Sequence, residues 1–352
     1  MIPDTIVAVR EKTDVAEARR RAAEFAGFDQ KYAGALNIVV TEAASNLVKH
    51  GNGGHIVIHR TGLRSGAAVD VIAIDSGPGI PDVARCLADG YSTAGTPGTG
   101  LGAISRAASF LDIYSAPKKG AVLAARVGPA SESNHQPYEI GAICAPYPGE
   151  SVSGDCWGIE ATGLSWRVAL GDGLGHGIFA AQAADAGIEA VMNERQAQPS
   201  VALECAHQRL RATRGAAMSV ADVNPTAGAV SFSGVGNVAG AIVQDAATRR
   251  QMVSTNGTLG HEMRAAVQYQ YPMSRGALVI VHSDGLSANW TLEKYPGLFH
   301  RHPAVVAGVL FRDHRRQRDD ATVVVVRALP PQTAARKEPA QTAARKEMEN
   351  GF

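Results

Sequence analysis

The sequence predicts an α+β protein, an N-terminal α/β sandwich followed by a C-terminal α/β/β/α sandwich. Three observations carry the prediction. Residues 1–127 mix short strand-like runs with helical stretches. The polar stretch "GPASESNHQPY" at 128–138 interrupts that pattern. Beyond it, seven strand-like runs recur, with helical segments grouped between them. The 352 residues suffice for two or three domains, and 45% apolar content can bury a sizeable core. The expected organisation is a first domain at 1–127, a linker at 128–137, a second domain at 138–328 and a disordered tail at 329–352.

In the first half, "TIVAVR" reads as a strand and "DVAEARRRAAEFAGF" as a helix with Asp14 at its N-cap. A second helix, about 31–50, carries Leu36, Val40, Ala43 and Leu47 at helical spacing. "HIVIHR" and "AAVDVIAID" read as strands joined by "TGLRSG". "LGAISRAASF" reads as a helix, and "LDIYSAPKKGAVLAARV" as a hairpin turning at Lys118–Gly120. In the second half the strands are "YEIGAIC", "GLSWRVALGD", "GAAMSVADV", "AGAVSFSGV", "AGAIVQD", "ALVIVHSD" and "ATVVVVR". Helices are expected near 178–195, 200–212 and 302–313. "QTAARKE" occurs at 332–338 and again at 341–347, too few copies for a solenoid.

Bulk properties narrow the function. A net charge of +1 gives no support for nucleic acid or an acidic membrane surface as partner. The four cysteines are scattered without a CxxC pair, which fits a reducing compartment. The start lacks a signal-peptide layout, and no apolar run approaches the ~20 residues of a membrane span. A cytoplasmic protein is expected.

Two constellations carry chemistry. On the second helix, "TEAASNLVKHG" puts Glu42 and Asn46 one turn apart on one face, continued by Lys49 and His50. An Asn carbonyl suits Mg²⁺, and a Glu one turn away can accept a hydroxyl proton. "AIDSGPGI" then sets Asp75 at a strand end, before Gly77 and Gly79. A buried Asp needs a partner, which the adenine amine would supply, with the glycines leaving bare backbone for the base. Finally "DGYSTAGTPGTGLGAISR" offers a lid at 89–97 and the run Gly98, Thr99, Gly100, Leu101, Gly102 opening a helix, an anion-binding end.

This ordered set resembles the GHKL ATPase domain, in particular the small bacterial anti-sigma and switch protein kinases of the RsbW/RsbT kind. The resemblance implies ATP as cofactor, Glu42 as base and Asn46 as Mg²⁺ ligand. It further implies Asp75 as adenine contact and the loop through Gly102 as phosphate lid. It also implies a Ser or Thr of a STAS-domain partner as phosphate acceptor.

The second constellation is acidic. Asp155 lies in "SVSGDCWG", Asp172 in "WRVALGDGLGHG", Asp284 in "ALVIVHSDGLS", and Asp319 and Asp320 in "RQRDDATVVVVR". Taken singly these are turn aspartates. Arg315, Arg316 and Arg318 could pair with Asp319 or Asp320, but no basic run flanks Asp172 or Asp284. Taken together, several carboxylates and few histidines suit Mg²⁺ or Mn²⁺. Two such ions, about 3.5–4 Å apart, can activate a water against a phosphate ester.

With "GVGNVAGAIV" and "DDAT", these pieces resemble the metal-dependent type 2C protein phosphatases in their SpoIIE/RsbU/RsbX branch. The resemblance implies Asp155, Asp172, Gly173 (through its carbonyl), Asp284 and Asp319 as metal ligands, with Asp320 beside them. The second acid that many relatives carry at the first motif is missing from Gly154-Asp155-Cys156-Trp157-Gly158. His176 is expected to stabilise its turn and Cys156 to pack.

The expected function is a bifunctional partner-switching regulator, kinase and phosphatase in one chain. Its expected partner is a STAS-domain antagonist, with a sigma factor or its regulator further along and a homodimer by analogy. The alternative is a phosphatase whose ATP-binding domain senses nucleotide or sequesters a partner. Chaperone and topoisomerase ATPases share the ATP fold but attach transducer domains.

Overall fold

The structure is a computed structural model that describes residues 4–26, 30–61, 68–87, 100–129, 138–163 and 165–329. The expected lid at 89–97, most of the linker and the tail from 330 onward lie outside the described residues.

Five strands build the first sheet: β1 (Thr5–Val9), β2 (Gly54–Thr61), β3 (Ala68–Asp75), β4 (Phe110–Ser115) and β5 (Ala121–Val127). Their order is β1-β2-β3-β5-β4, and every pair is antiparallel. Helices α1 (Lys12–Ala26), α2 (Gln30–His50) and α4 (Gly100–Ala107) cover one face, with the short α3 (Val83–Leu87) beside α4. The apolar stripe of α2, including Leu36, Val40, Ala43 and Leu47, packs on Ile56, Ile58, Val71 and Leu123. The hairpin turns where expected, with Lys118 and Gly120 at positive φ.

Asp14 departs from its expected place. The helix starts two residues earlier, and the Asp14 carboxylate reaches back to the Arg10 and Glu11 amides at 2.7 and 3.0 Å. An acid in the first turn can satisfy the free amides from inside the helix as well as from the cap.

The remaining strands are β6 (Tyr138–Ala145), β7 (Asp155–Thr162), β8 (Ser165–Gly173), β9 (Ala216–Asn224) and β10 (Ala229–Val235). Then come β11 (Ala239–Val243), β12 (Arg249–Met252), β13 (Gln268–Pro272), β14 (Leu278–His282) and β15 (Ala321–Ala328). They form two antiparallel sheets, β13-β10-β9-β8-β7 and β12-β11-β14-β15-β6. The sheets meet through Leu170, Phe232, Ile242, Val324 and their neighbours. Helices α5 (Ile178–Asn193) and α6 (Pro199–Leu210) cover the outer face of the first of these sheets through Ile188, Leu203 and Leu210. Strands β7, β12 and β13 were not legible in the sequence. All three are sheet edges and bury few of their residues, so their hydrophobic pattern is thin.

Helix α7 (Pro303–His314) changes the architecture. Its residues from Pro303 through Phe311 are all buried, the signature of a helix packed on every side. One side meets β6: a Cβ at Gly141 would sit 2.1 Å from the Ala304 backbone. The opposite side meets the first sheet: a Cβ at Gly308 would sit 2.5 Å from Val122 Cγ1. Ile72, Ile74 and Val122 thereby share one core with Ile143, Leu310 and Val325. The two expected sandwiches are one stack of six layers: helices, sheet, α7, sheet, sheet, helices.

Polar contacts pin the junction. Arg301 bridges Asp112 at 3.0 Å, and the His302 amide donates to the same carboxylate at 2.8 Å. Asp4 accepts from the Cys144 amide at 3.0 Å. No described helix is long and apolar enough to cross a membrane.

Two candidate active sites

The N-terminal site sits between α2 and the start of α4. Glu42 and Asn46 are half-buried on α2, while Lys49 and His50 are exposed at its end. A Cβ at Gly100 would lie 3.1 Å from Glu42 Oε2 and 3.4 Å from Asn46 Oδ1. The first residue of α4 therefore rests against the two groups that α2 presents. Gly102 is buried and Leu101 half-buried behind it; Gly98 and Thr99 lie outside the described residues.

Asp75 ends β3. Its Oδ1 accepts the Gly77 amide at 2.9 Å and the Ala121 amide at 3.2 Å. Burial nonetheless raises its carboxyl above the ordinary range. The neighbouring glycines serve the chain's own packing. A Cβ at Gly77 would meet the Gly51 backbone at 2.9 Å, and one at Gly79 the Ala116 carbonyl at 2.4 Å. Gly51 in turn lies against Asp75, its Cβ position 2.8 Å from Asp75 Cβ. Sequence reading expects Gly77 and Gly79 to leave bare backbone for a nucleotide base; their Cβ sides face protein backbone. Gly51 was missed because a glycine after a helix reads as an ordinary terminator.

The C-terminal site forms where four strand ends converge. Asp155 starts β7 and stands opposite Asp172, near the end of β8. Asp284 follows β14, and Asp319 and Asp320 precede β15. Glycines let these ends close. A Cβ at Gly173 would meet the Ala180 carbonyl at 2.1 Å, one at Gly154 Asp320 Oδ2 at 2.7 Å, and one at Gly285 the Asp320 carbonyl at 1.8 Å. Gly285 thus brings the Asp284 loop onto the Asp319–Asp320 turn.

Two side chains and one backbone amide that sequence reading missed hold the acids. The Ser283 hydroxyl donates to Asp155 Oδ2 at 2.7 Å and accepts the Thr322 amide at 3.0 Å. The Asn237 amide donates to Asp284 Oδ2. The Tyr147 amide donates to Asp320 Oδ1 at 2.7 Å. Ser283 and Asn237 sat inside the quoted motifs, but only their contacts reveal the role. Arg315 does not turn to Asp319 or Asp320. It donates to the Pro146 carbonyl at 2.8 Å and lies over Phe311. His176 bonds Glu150 at 2.9 Å and stacks on Tyr147, tying its loop to the one before β7. The Cys156 thiol is half-buried, its pKa driven up chiefly by burial and then by Asp185.

The acids strain against one another. Burial, then the charges of Asp155, Asp284, Asp319 and Asp320, push the Asp172 carboxyl up to about 9. Burial first, with Asp320 and Asp319 adding, takes Asp155 to about 7, although Ser283 and Thr322 oppose the shift. Asp319 is raised by burial and by Asp284. Among the described residues no three acids, histidines or cysteines are already drawn around one cation position. The donor set nevertheless fits hard cations. Asp155 Oδ1 and Asp320 Oδ2 are buried without a hydrogen-bond partner, and neighbouring carboxylates cannot all ionise without positive charge among them.

Comparison with known proteins places both halves. Residues 8–126 match the histidine kinase-like ATPase domain, and residues 162–329 match stage II sporulation protein E (SpoIIE). The second match begins at the end of β7, beyond Asp155. The serine/threonine-protein kinase RsbT of Bacillus subtilis (strain 168) is 31% identical over 109 residues, covering 30% of this chain and 82% of RsbT. A solved structure from the bacterial stressosome, a modular system adapted to control secondary messenger signalling, is similar in fold. Its TM-score is 0.51 at 24% identity, over 55% of this chain and 100% of its own. The PP2C phosphatase domain of SpoIIE from Bacillus subtilis, with a fragment of its regulatory domain, gives a TM-score of 0.44 at 18% identity, over 90% of this chain and 98% of its own. The chain belongs to the RsbT family through its histidine kinase-like ATPase domain, which it joins to a domain that matches SpoIIE.

Proposed function

We propose that this chain is a bifunctional partner-switching regulator. Its first domain transfers the γ-phosphate of ATP to a Ser or Thr of a STAS-domain antagonist, and its second removes phosphate from the same or a related partner. The observation that supports this best is two separate sites of opposite design in one chain, Glu42 and Asn46 against Gly100, and five aspartates around β7, β8 and β15.

In the first site Glu42 accepts the hydroxyl proton as the oxygen attacks the γ-phosphorus and ADP leaves. Asn46 would hold Mg²⁺, Asp75 would accept from the adenine amine, and the α4 amides would face the phosphates. In the second site Asp155, Asp172, Asp284, Asp319 and the Gly173 carbonyl would hold Mg²⁺ or Mn²⁺. When bound, such ions neutralise the phosphoester and activate a water. Ser283, Asn237 and the Tyr147 amide keep the carboxylates aimed inward. Asp320 adds a further anionic oxygen.

The test uses ATP, Mg²⁺ and candidate STAS-domain proteins. Label transfer should fall about 10²-fold in Glu42→Ala; transfer at the wild-type rate would sink the kinase assignment. Mn²⁺-dependent phosphate release should disappear in Asp172→Ala; unchanged turnover would sink the phosphatase assignment.

A second reading, an ATP-binding sensor attached to a phosphatase, is favoured by helix α7. That helix lies on β3 and β5, the strands whose ends bear Asp75 and Ala121. Its chain continues through Arg316, whose amide donates to the Gly285 carbonyl at 2.7 Å, into Asp319. Nucleotide that binds without phosphotransfer yet alters phosphate release would support this reading.

A further inference from the structure

Nine large apolar side chains are exposed among the described residues. Four of them, Val152, Leu174, Ile178 and Phe179, lie on the two segments that flank the C-terminal carboxylates. Ile178 and Phe179 are the most exposed of the nine, at 60% and 57%. Scattered surface apolars need no explanation, but a cluster beside a reactive centre does.

The cluster rests on a fixed frame. The Leu174 amide donates to the Gly215 carbonyl at 3.0 Å, joining its loop to the one before β9. His261 Nε2 meets the Arg214 carbonyl at 2.8 Å. The Arg214 guanidinium lies over the Phe179 ring, 5.2 Å from its centroid, and its Nη1 is 3.2 Å from the Cβ position of Gly175. Gly175 has φ +85°, so a side chain there would be strained as well as crowded. The rim is thus apolar and carries an exposed cation. Its acid, Glu150, is engaged by His176.

We infer that this rim docks the phosphorylated segment of a protein substrate. Apolar residues flanking the phosphoserine or phosphothreonine pack on Leu174, Ile178 and Phe179, and an acidic side chain pairs with Arg214. The inference rests on the phosphatase reading above and names its substrate class. The carboxylate cluster and its cations can recognise only the phosphoester, which every phosphorylated molecule shares. Selection among substrates must come from contacts outside the cluster. A guanidinium stacked on a ring keeps its N–H edge free for a carboxylate, so Arg214 and Phe179 together select an acid next to an apolar residue.

Four probes test this with the full chain and Mn²⁺. They are a leucine-flanked phosphoserine peptide with one glutamate, the same peptide with lysine for glutamate, a glycine/serine-flanked phosphoserine peptide, and p-nitrophenyl phosphate. The leucine–glutamate peptide should exceed the glycine/serine peptide by about tenfold in kcat/KM. Phe179→Ala and Ile178→Ser should erase that preference through KM and leave p-nitrophenyl phosphate turnover unchanged. Arg214→Glu should reverse the preference to the lysine peptide, which a merely structural arginine would not do. Equal turnover of all three peptides would overturn the inference, as would equal losses on peptide and p-nitrophenyl phosphate. If Ile178→Ser converts a dimer to a monomer by light scattering while peptide preference persists, the rim belongs to a second copy and the inference falls. A wild-type chain inactive even on p-nitrophenyl phosphate would instead count against the phosphatase reading itself.

Discussion

"GTGLG" at 98–102 and "GDGLGHG" at 171–177 look alike, yet their described residues stand in different surroundings. The first sets Gly100 against Glu42 and Asn46 and carries no acid of its own. The second holds Asp172 opposite Asp155, in a nest of acids that raise one another's pKa. Here the glycine at 173 serves the packing of its strand end on α5. A glycine-rich turn therefore says only that backbone comes close to something. On the function proposed above, the charge it carries distinguishes a phosphate site from a cation site.

The contrast can be broken in order of expected effect. Asp172→Ala should cut Mn²⁺-dependent phosphate release on the order of 10³-fold, while ATP binding, read by a fluorescent analogue, stays unchanged. If ATP binding fell as well, the two loops would not be separate devices. Glu42→Ala should lower phosphotransfer about 10²-fold with nucleotide affinity retained, and should leave p-nitrophenyl phosphate turnover intact.

Helix α7, wedged between the two regions, offers the next test. Gly308→Leu drives a side chain into Val122 and should cost about 3 kcal/mol in urea unfolding. A loss under about 0.5 kcal/mol would mean that the first sheet does not lean on α7.

The smallest effect is on pH dependence. Burial holds His302 at about 4, below the ordinary histidine value of 6.5. As pH falls, the unfolded chain takes up the proton first, so this contribution is full above pH 6.5 and is lost toward pH 4. Stability at pH 5 should lie about 1–2 kcal/mol below that at pH 7. His302→Asn, which preserves a cap on Ala304, should flatten the difference. An unchanged slope would remove His302 from the account.

The acidic and glycine-rich motifs stand out in the sequence by residue type and spacing: Asp at strand ends, Gly where backbone approaches closely, Asn and Glu one helical turn apart. The central strands were legible for a similar reason. "TVVVV" and "LVIV" can only be buried. Ser283, Asn237 and Gly285 were not, because a serine, an asparagine and a turn glycine are common everywhere. They gain meaning only from the aspartate each one touches.

The sequence by itself determined the two folds, their order and the residues that bear charge, since local periodicity and residue chemistry suffice for these. Only the tertiary structure decided that the two sandwiches share one core. Helix α7 reads in sequence as an ordinary apolar helix of the second half. That its far side is buried by Ile72 and Val122, more than 180 residues earlier in the chain, depends on contacts that no local pattern encodes.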